Sequence, residues 1–495
     1  MSGTAVRTVA VVGAGPAGAF FALELARLLP DAAIELYDRQ DRGPGAGIVL
    51  ADEFAERLRA VHPEVLRLPE SAYASWDETV TVIGGERIRS GAFGTSGISR
   101  QVFHAHVRAL AARHANVRLI RRSVTELPER ADLVVLADGA GSELRRERAD
   151  RFGTSVAPGR NRYLWMSTPA VLEPCFLLKD PGGPGPLVVH AYPHAADAST
   201  FIVEADPDTL SDLGLLDLPP GEAELRLATL FRDELGGAPL TARTAGWQPF
   251  RTVVNRRWSD GRTVLIGDAA HTVHFSTGSG TTLAIDDALS LARCVAGHDD
   301  PLDALAEYER IRRPVAEQTQ AEAAESTAWF EQLCRGDRLE GHQTVFALRS
   351  RRTANTFSRL RERDPEFVAR TVARLAGHAT GAEPVDVPLT VGQVRLEHRL
   401  VELECRDGRC VLRGADGTRA VGVVVDRAPD RPLPGVDFLA VQARPEGGRV
   451  TRSALAAQVR SVAALPIALL VDEELPRDEA NTLIAAARTD LVARS

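Results

Sequence analysis

The sequence predicts an α/β protein with a largely parallel sheet, an inserted β-sheet, long helices and a small C-terminal α/β domain. Three short apolar runs, at residues 9–12, 133–136 and 264–266, predict this class. Each run ends in a glycine-containing turn. The turns read GAGPAG, DGAGS and GDAAH, and each is followed by a helical pattern. Buried strands that alternate with helices in this way are typical of a parallel sheet covered by helices.

The first turn has the spacing Gly13-x-Gly15-x-x-Gly18, which is the fingerprint of a Rossmann-type dinucleotide site. Gly13 allows the tight turn, Gly15 leaves room for a pyrophosphate, and Gly18 lets the helix pack closely on the strand. The helix opens at Pro16-Ala17. Its N-terminus carries roughly half a positive charge toward the phosphates.

The next strand, IELYD, ends at Asp38 and is followed by Arg39. Asp38 lies about 20 residues after the glycines, where a carboxylate accepts a ribose hydroxyl. This fingerprint alone does not distinguish NAD from FAD. The two later turns do.

The second turn has the pattern DGxxSxxR from Asp138 and Gly139 through Ser142 to Arg145, and the third is GDAAH. Together with GxGxxG, in this order, they resemble the single-component FAD-dependent aromatic hydroxylases. The resemblance implies a glutathione-reductase-like FAD domain with an inserted substrate-binding sheet.

The resemblance also implies the flavin contacts. The aspartate matching Asp268 contacts the ribityl chain, and the helix beginning near Gly280 directs its N-terminus at the flavin pyrimidine. Arg100 matches a position on the diphosphate side, and the loop at 45–48 is expected against the isoalloxazine. The predicted FAD contacts are Gly13, Gly15, Pro16, Ala17, Gly18, Asp38, Arg39, Gly47, Ile48, Arg100, Asp138, Gly139, Asp268, Gly278, Gly280 and Thr281.

Changes of pattern along the chain predict three regions. Residues 1–155 and 256–380 form the discontinuous FAD domain with a helical extension, and 156–255 plus 76–98 form the substrate sheet. Within the latter, TVTVIGGERIR alternates like a hairpin around Gly84-Gly85. Residues 386–495 form the C-terminal domain.

The run HFSTGSGT at 274–281 narrows the resemblance to the salicylyl-CoA 5-hydroxylase and anthraniloyl-CoA monooxygenase group. Members of that group carry a C-terminal reductase barrel like old yellow enzyme, and VPLTVG at 387–392 resembles its opening strand. A complete barrel needs about 250 residues. We therefore expect 386–495 to be a degenerate remnant of the reductase, without FMN.

The resemblance implies an FAD- and NAD(P)H-dependent monooxygenase. It would insert oxygen from a flavin C4a-(hydro)peroxide into an aromatic or related cyclic acyl-CoA thioester. O₂ is the co-substrate, and NAD(P)H is expected to bind transiently because no second GxGxxG occurs. Alternatives are a tropone-pathway type oxygenase that epoxidises a ring and cleaves the CoA ester, a flavin dehydrogenase or reductase without oxygen insertion, and a non-catalytic flavin scaffold.

Candidate catalytic residues are His190, Tyr192, His274 and Ser276. The first two alternate along VVHAYPH, so a strand places them on one face together with His194. A His or Tyr that faces the flavin can accept a proton from a phenol or polarise a carbonyl. Sheet-surface polarity is the alternative interpretation, and His271 of GDAAH is expected to be structural. The substrate-binding candidates are Arg160, Arg162 and Arg256 for CoA phosphates and Trp165, Trp247 and Phe250 for an aromatic pocket.

Composition excludes several functions. The 495 residues carry a net charge of −8 with pI near 5.9, which gives no broad basic surface for nucleic acid. No apolar run approaches the roughly 18 residues that span a bilayer, and the N-terminus enters the first strand directly, so we expect a cytoplasmic protein.

Five cysteines without metal-like spacing predict free thiols and no metal site. The only lysine, Lys179, lies too far along the chain for a flavin-dependent halogenase. Oligomeric state stays open, with a homodimer as one option.

Overall fold

A computed structural model describes residues 6–39, 46–91, 94–219, 221–336, 340–429, 433–444, 446–473 and 475–494. Elements are numbered along the chain. The strands are β1 (Thr8–Val12), β2 (Ala33–Asp38), β3 (Gly47–Ala51), β4 (Tyr73–Trp76), β5 (Thr79–Ile83), β6 (Glu86–Ser90), β7 (Thr95–Ser99), β8 (Val117–Arg121), β9 (Leu133–Leu136), β10 (Thr154–Thr168), β11 (Cys175–Lys179), β12 (Leu187–Ala195), β13 (Ala198–Ala205), β14 (Thr241–Ala242), β15 (Gln248–Asn255), β16 (Ser259–Asp260), β17 (Thr263–Leu265), β18 (Leu389–Val391), β19 (Val394–Leu396), β20 (Leu400–Glu402), β21 (Glu404–Arg406), β22 (Arg409–Arg413), β23 (Arg419–Val424), β24 (Phe438–Gln442), β25 (Ile467–Val471) and β26 (Leu491–Arg494).

The helices are α1 (Pro16–Leu28), α2 (Asp52–Val61), α3 (Arg100–Ala111), α4 (Glu143–Glu147), α5 (Ala149–Phe152), α6 (Pro207–Asp212), α7 (Glu222–Leu230), α8 (Gly280–Gly297), α9 (Pro301–Cys334), α10 (Gly341–Ser350), α11 (Phe357–Arg363), α12 (Pro365–Ala376), α13 (Arg449–Arg452), α14 (Ala454–Val462) and α15 (Arg477–Ala485). Short 3₁₀ turns lie at Glu70–Ala72, Gly267–Ala269, Phe275–Thr277 and Pro384–Asp386. No helix among the described ranges combines the length and the apolar character needed to cross a membrane.

The nucleotide sheet has the strand order β16-β17-β9-β1-β2-β8. All of its pairings are parallel except that of β16 with β17. Strands β1 and β9 are apolar and almost fully buried, as expected for a sheet with both faces covered. Since the carboxyl ends of parallel strands share one edge, the three glycine turns of the sequence meet there. The predicted α/β class is confirmed.

The inserted sheet has the order β14-β10-β13-β12-β11-β5-β6, and β15 also pairs with β10. Alternation along β12 and β13 separates its two faces. Val189, Phe201 and Val203 pack against α6 and α7 in one apolar cluster, whereas His190 and Tyr192 lie on the other face. The predicted hairpin forms as β5 and β6 and joins this sheet through β11. The flanking strands β4 and β7, at the ends of the predicted segment 76–98, instead belong to a separate sheet in which β7 pairs with both β3 and β4.

The C-terminal sheet has the order β20-β26-β25-β24-β23-β22-β21. The strands β20, β26, β25, β24 and β23 are parallel to one another. The first of this sheet's strands in sequence, β20, therefore pairs with the last, β26. Because β20 and β21 end the sheet among the described residues, it is open rather than closed into a barrel. Descent from a reductase barrel stays a prediction.

Free thiols were predicted for every cysteine, and this was wrong for Cys405 and Cys410. These residues form a disulfide. Strands β21 and β22 pair with the two cysteines directly opposite each other, so the hairpin itself brings their Cα atoms to 4.1 Å. Cys175, Cys294 and Cys334 are free.

Candidate active site

The turn after β1 closes so tightly that only glycine fits. Gly13 has a φ of +101°, and a Cβ on it would lie 2.4 Å from the carbonyl oxygen of Ala137. A Cβ on Gly18 would lie 1.9 Å from the carbonyl oxygen of Gly13. Helix α1 then begins at Pro16, and Gly15 at the N-cap position provides no side-chain cap. Its first N–H groups therefore point at the turn, as a pyrophosphate site requires.

The second turn carries the Asp138 carboxylate and is held in place by the Arg145 guanidinium. Burial raises the pKa of the Asp138 carboxyl, partly offset by Ser142, Arg145 and Arg39, and its Oδ1 has no hydrogen-bond partner among the described residues. The buried Arg145 guanidinium donates to the carbonyl oxygens of Ala140 at 2.6 Å and of Ala269 at 3.0 Å. Arg145 thus ties the DG turn to the GDAAH turn. An orphaned carboxylate oxygen at this edge is a free acceptor for a ligand.

Asp38 ends β2, as the fingerprint predicts. It accepts a hydrogen bond from Arg108 Nη1 at 3.0 Å. This contact fixes the carboxylate at the strand end beside the glycine turn.

The GDAAH turn leaves the Asp268 side chain open to solvent. A Cβ on Gly267 would meet the Cβ atoms of Ala17 at 2.9 Å and of Ala284 at 3.1 Å, so glycine lets this turn sit between α1 and α8. Asp268 is accessible to solvent although both of its neighbours in sequence are buried. Desolvation by the surrounding protein raises the pKa of the Asp268 carboxyl, and Arg100 opposes this.

Helix α8 begins at Gly280 after the turn 275–278, and no side chain caps it. Gly278, Gly280 and Thr281 are not buried. His271 is structural, as expected, because its Nε2 bonds to Asp287 Oδ2 at 2.6 Å inside the core.

The inserted sheet holds the predicted flavin loop at Gly47. Its N–H donates to Thr200 Oγ1 at 2.9 Å, and its carbonyl oxygen accepts from the Tyr192 hydroxyl at 3.0 Å. A Cβ on Gly47 would lie 2.3 Å from the Cβ of His194. Ile48 follows as a buried residue, and Gly45 lies outside the described residues. Tyr192, whose pKa burial raises to about 12, therefore serves as an anchor of this loop in the structure.

These features fit FAD. Two uncapped helix N-termini, an unpartnered Asp138 oxygen and the solvent-accessible Asp268 lie at the carboxyl edge of one parallel sheet. Such a set serves a diphosphate at α1, a ribityl chain at Asp268 and an electron-rich ring at α8. Fold and site together define a flavin-binding oxidoreductase.

A buried acid–base cluster lies on the inner face of the inserted sheet. Glu204 is 1% exposed. Its Oε1 accepts from Asn161 Nδ2 at 2.8 Å, and its Oε2 lies 3.1 Å from His190 Nε2. Burial alone would raise the pKa of the Glu204 carboxyl, but His190, His274 and Asn161 together bring it below its usual value.

His274 faces this carboxylate from the flavin side. Its Nε2 is 3.9 Å from Glu204 Oε1, which is too long for a hydrogen bond. Its Nδ1 lies 2.7 Å from Ser276 Oγ. Burial lowers the pKa of His274 to about 4, so the ring is neutral at neutral pH.

Two further residues fix the turn that carries His274. Ser326 Oγ lies 2.8 Å from Ser276 Oγ, and Arg351 donates to Ser326 Oγ at 2.7 Å and to the Ser276 carbonyl oxygen at 2.6 Å. Arg351 is buried, which lowers the pKa of its guanidinium to about 9. The Ser276 hydroxyl is thus part of a chain of hydrogen bonds that ends on a cation.

Aromatic rings surround the cluster. Phe275 lies 5.0 Å from Tyr163 and 5.3 Å from His190 between ring centroids, and Phe330 lies 4.8 Å from His190. Phe250 packs 4.9 Å from His274. The setting is largely apolar, and the buried charges in it, Glu204 and Arg351, interact more strongly than they would in water.

A narrow open cleft between β10 and α9 leads to this cluster. A register shift between Pro158 and Arg162, where β10 pairs with β15, shapes its rim. The lining residues are Gly159, Asn161, Arg162, Tyr163, Glu204, Phe250, His274, Thr327 and Glu331.

Not every predicted substrate residue lies at the cleft. Trp247 donates its Nε1–H to the Leu215 carbonyl oxygen and packs against the cluster under the outer face of the sheet. Arg160 is paired with Asp206 at 2.6 Å and with Asp208 at 3.0 Å.

Arg256 is exposed at the end of β15, and its carbonyl oxygen accepts from Arg313. Trp165 lies 5.8 Å from Phe275, with its Nε1 buried and unpartnered among the described residues. Of the predicted aromatic set, Trp165 and Phe250 therefore border the cluster.

One group of possible metal ligands occurs within the described ranges. Glu86, Glu340 and His342 bring donor atoms within 4.8 Å of one another. Both carboxylates are exposed, and Glu86 also pairs with Arg374 at 3.2 Å. The group has the character of a surface ion-pair cluster.

Sequence reasoning missed Glu204, Thr200, Ser326 and Arg351. A charged residue inside the apolar run FIVEA was a usable signal for Glu204. The other three carry no local signal, because their partners lie far away in the chain.

Comparisons with known proteins identify the family and its cofactor. A family model described as FAD binding domain matches residues 95–323. Salicyloyl-CoA 5-hydroxylase from Streptomyces sp. is 32% identical over 98% of this chain and 99% of its own length. The 3-hydroxy-4-methyl-anthranilyl-[aryl-carrier protein] 5-monooxygenase of Streptosporangium sibiricum is 37% identical over 66% of this chain and 89% of its own.

A solved structure of 2-methyl-3-hydroxypyridine-5-carboxylic acid oxygenase matches 71% of this chain and 98% of its own with a TM-score of 0.55 at 18% identity. That likeness supports the fold. The sequence relatives carry the assignment further: the chain belongs to the family of FAD-dependent aromatic monooxygenases. Members of this family use NAD(P)H as reductant.

Proposed function

We propose that this monooxygenase hydroxylates the ring of an aromatic acid carried as a coenzyme A thioester. The single observation that carries the proposal is the cleft that runs from the rim at Arg162 to the buried pair Glu204 and His274. A cleft with an acid–base pair at its buried end and a fixed guanidinium at its other end suits a hydroxylated or aminated ring attached to a long anionic arm.

FAD, when bound and reduced, activates O₂ for transfer to the ring. The chain's own residues prepare the ring for attack. Both relatives are named for benzoyl rings that carry a hydroxyl or amino group. In the tautomer whose Nδ1–H donates to Ser276 Oγ at 2.7 Å, the Nε2 atom of neutral His274 is free to accept the proton of such a group, and Glu204 stabilises the imidazolium that forms.

The aromatic shell keeps water from the reacting centre. Phe275, Phe330 and Phe250 cover the pair from three elements. A dry site lowers the loss of activated oxygen to hydrogen peroxide.

The arm would leave past β10 and α9. The Arg162 Nη1 donates to the carbonyl oxygens of residues 159–161, with the shortest contact at 2.6 Å to Arg160, and this holds the guanidinium at the rim. A fixed guanidinium is suited to a phosphate of the CoA arm.

The test compares one acyl group on four carriers. Salicyloyl-CoA, salicyloyl-N-acetylcysteamine, a salicyloyl carrier protein and free salicylate are each incubated with enzyme, NAD(P)H and O₂, and product is measured by mass spectrometry. The expected order places the CoA ester first, with the free acid inactive. Hydroxylation of free salicylate at the rate of the CoA ester would refute the thioester, and preference for the carrier protein would refute CoA.

A pair of variants locates the arm. Arg162→Ala should raise KM for the CoA ester about tenfold and leave KM for the N-acetylcysteamine ester unchanged, as for one lost phosphate contact. Arg257→Ala is the matched control, because Arg257 is exposed and does not line the cleft.

A further inference from the structure

The C-terminal domain makes hydrogen bonds to the monooxygenase core at two places. The first is Glu325 on α9, which is 5% exposed. Its carboxylate accepts from the backbone N–H groups of Gly448 at 3.1 Å, Val450 at 2.7 Å and Thr451 at 3.1 Å, and from the Thr451 hydroxyl. A buried carboxylate with four donors is a strong, directional contact.

The second place is the end of α10. Arg449, which is 2% exposed, pairs with Glu479 of its own domain. It also donates to the backbone carbonyl oxygens of Ser350 and of residues 352, 353 and 355. The Ser350 carbonyl is one that the end of α10 leaves without a helical partner, and the other three belong to the segment that follows the helix.

At both places, the core residue that the C-terminal domain contacts is followed in sequence by a residue that bonds to the turn carrying His274. Ser326, after Glu325, contacts Ser276 Oγ at 2.8 Å. Arg351, after Ser350, donates to the Ser276 carbonyl oxygen at 2.6 Å and to Ser326. From Ser276 one further hydrogen bond of 2.7 Å reaches the His274 ring.

We propose that residues 448–451 are a positioning element of the oxygenation site. By fixing Glu325 and the end of α10, they set Ser326 and Arg351, which in turn orient the turn that carries His274. The C-terminal domain would thus contribute to coupling of oxygen activation with hydroxylation without touching the ring or the flavin. This inference rests on the monooxygenase activity of the family and is independent of the thioester proposed above.

The test uses the full-length protein and three variants. Glu325→Gln removes the charge, and Thr451→Val removes one donor and keeps the backbone contacts. Asp478→Asn is the matched control, since Asp478 also accepts a backbone N–H across this interface, from Ser358 at 2.8 Å, but contacts α11 instead of α9.

The primary readout is amide hydrogen exchange of residues 272–279 in the absence of substrate. We expect faster exchange there in Glu325→Gln and, to a smaller degree, in Thr451→Val, with Asp478→Asn like the unmodified protein. The second readout is the ratio of hydroxylated product to hydrogen peroxide. We expect a fall of about tenfold in Glu325→Gln, which corresponds to about 1.4 kcal/mol, with bound FAD unchanged.

Two results would overturn the proposal. One is faster exchange at 448–452 with none at 272–279 in both Glu325→Gln and Thr451→Val. The other is an equal effect of Asp478→Asn, which would mean general loosening. If Glu325→Gln does not fold, the comparison of Thr451→Val with Asp478→Asn decides. Because exchange needs no substrate, failure of the thioester proposal leaves this outcome readable.

Discussion

Glu204→Gln is the substitution that tests the acid–base assignment most directly. The amide has the shape of the carboxylate but carries no charge, so the cavity keeps its volume. Asn161 and His190 both donate to Glu204, whereas a glutamine side chain offers only one acceptor oxygen. The variant therefore loses one charge-assisted contact and the negative potential at His274.

The expected effect falls on catalysis. Positioned proton transfer contributes about 10²–10⁴-fold. We expect the hydroxylation rate to fall by about 10², equivalent to about 2.7 kcal/mol of barrier, because His274 remains but its imidazolium is no longer stabilised. The carboxylate also raises the pKa of His274, so its loss makes that ring a weaker base.

The assay is a single turnover of reduced enzyme with substrate and O₂, with product and hydrogen peroxide both measured. Glu24→Gln is the control. Glu24 is a fully buried carboxylate 3.2 Å from a histidine, His62, but it lies on α1, outside the cleft. Product formation in Glu204→Gln within about twofold of the unmodified enzyme would refute the acid–base role, since this is far below the range for such groups.

Three further predictions follow from named contacts. Gly18→Ala places a Cβ 1.9 Å from the Gly13 carbonyl oxygen, so flavin absorbance per purified chain should fall strongly; undiminished absorbance would contradict the FAD turn. Tyr192→Phe leaves the Gly47 carbonyl oxygen without its donor, at a cost of about 1–3 kcal/mol. We expect this variant to lose FAD more readily on dilution and to keep the pH profile of hydroxylation. A shifted pH profile would instead indicate that Tyr192 transfers a proton directly. Several contacts lower the pKa of Glu24 from 4.5 to about 2, so its stabilisation is complete above pH 4.5 and is lost as the pH falls toward 2. The difference in unfolding free energy between the unmodified protein and Glu24→Gln should be at most about 3 kcal/mol near pH 6 and vanish near pH 2, as measured by urea titration; a difference independent of pH would refute this linkage.

The FAD framework could be predicted from the sequence because its signals are local. Each glycine turn comes directly after its strand, and a few adjacent residues determine the backbone conformation that Gly13 adopts. Alternation in VVHAYPH likewise placed His190 and Tyr192 on one face of β12.

The roles of those two residues could not be predicted, because they depend on partners far along the chain. Tyr192 bonds to Gly47, which precedes it by 145 residues. Ser276 meets Ser326 and Arg351 through contacts 50 and 75 residues apart. The disulfide was missed for a different reason: a spacing of five residues does not show that a tight hairpin will place the two cysteines opposite each other.

The inserted sheet links cofactor and chemistry through strand register. On β12, His190 belongs to the acid–base cluster and Tyr192 anchors the flavin loop, while Val189 and Ala191, which alternate with them, are buried against the helices of the outer face. A slip of one residue would turn both polar side chains into the apolar cluster and both apolar ones toward the flavin. The apolar packing under the sheet therefore sets the geometry of the site, so substitutions at Val189 that enlarge the side chain should disturb the flavin loop and proton transfer together.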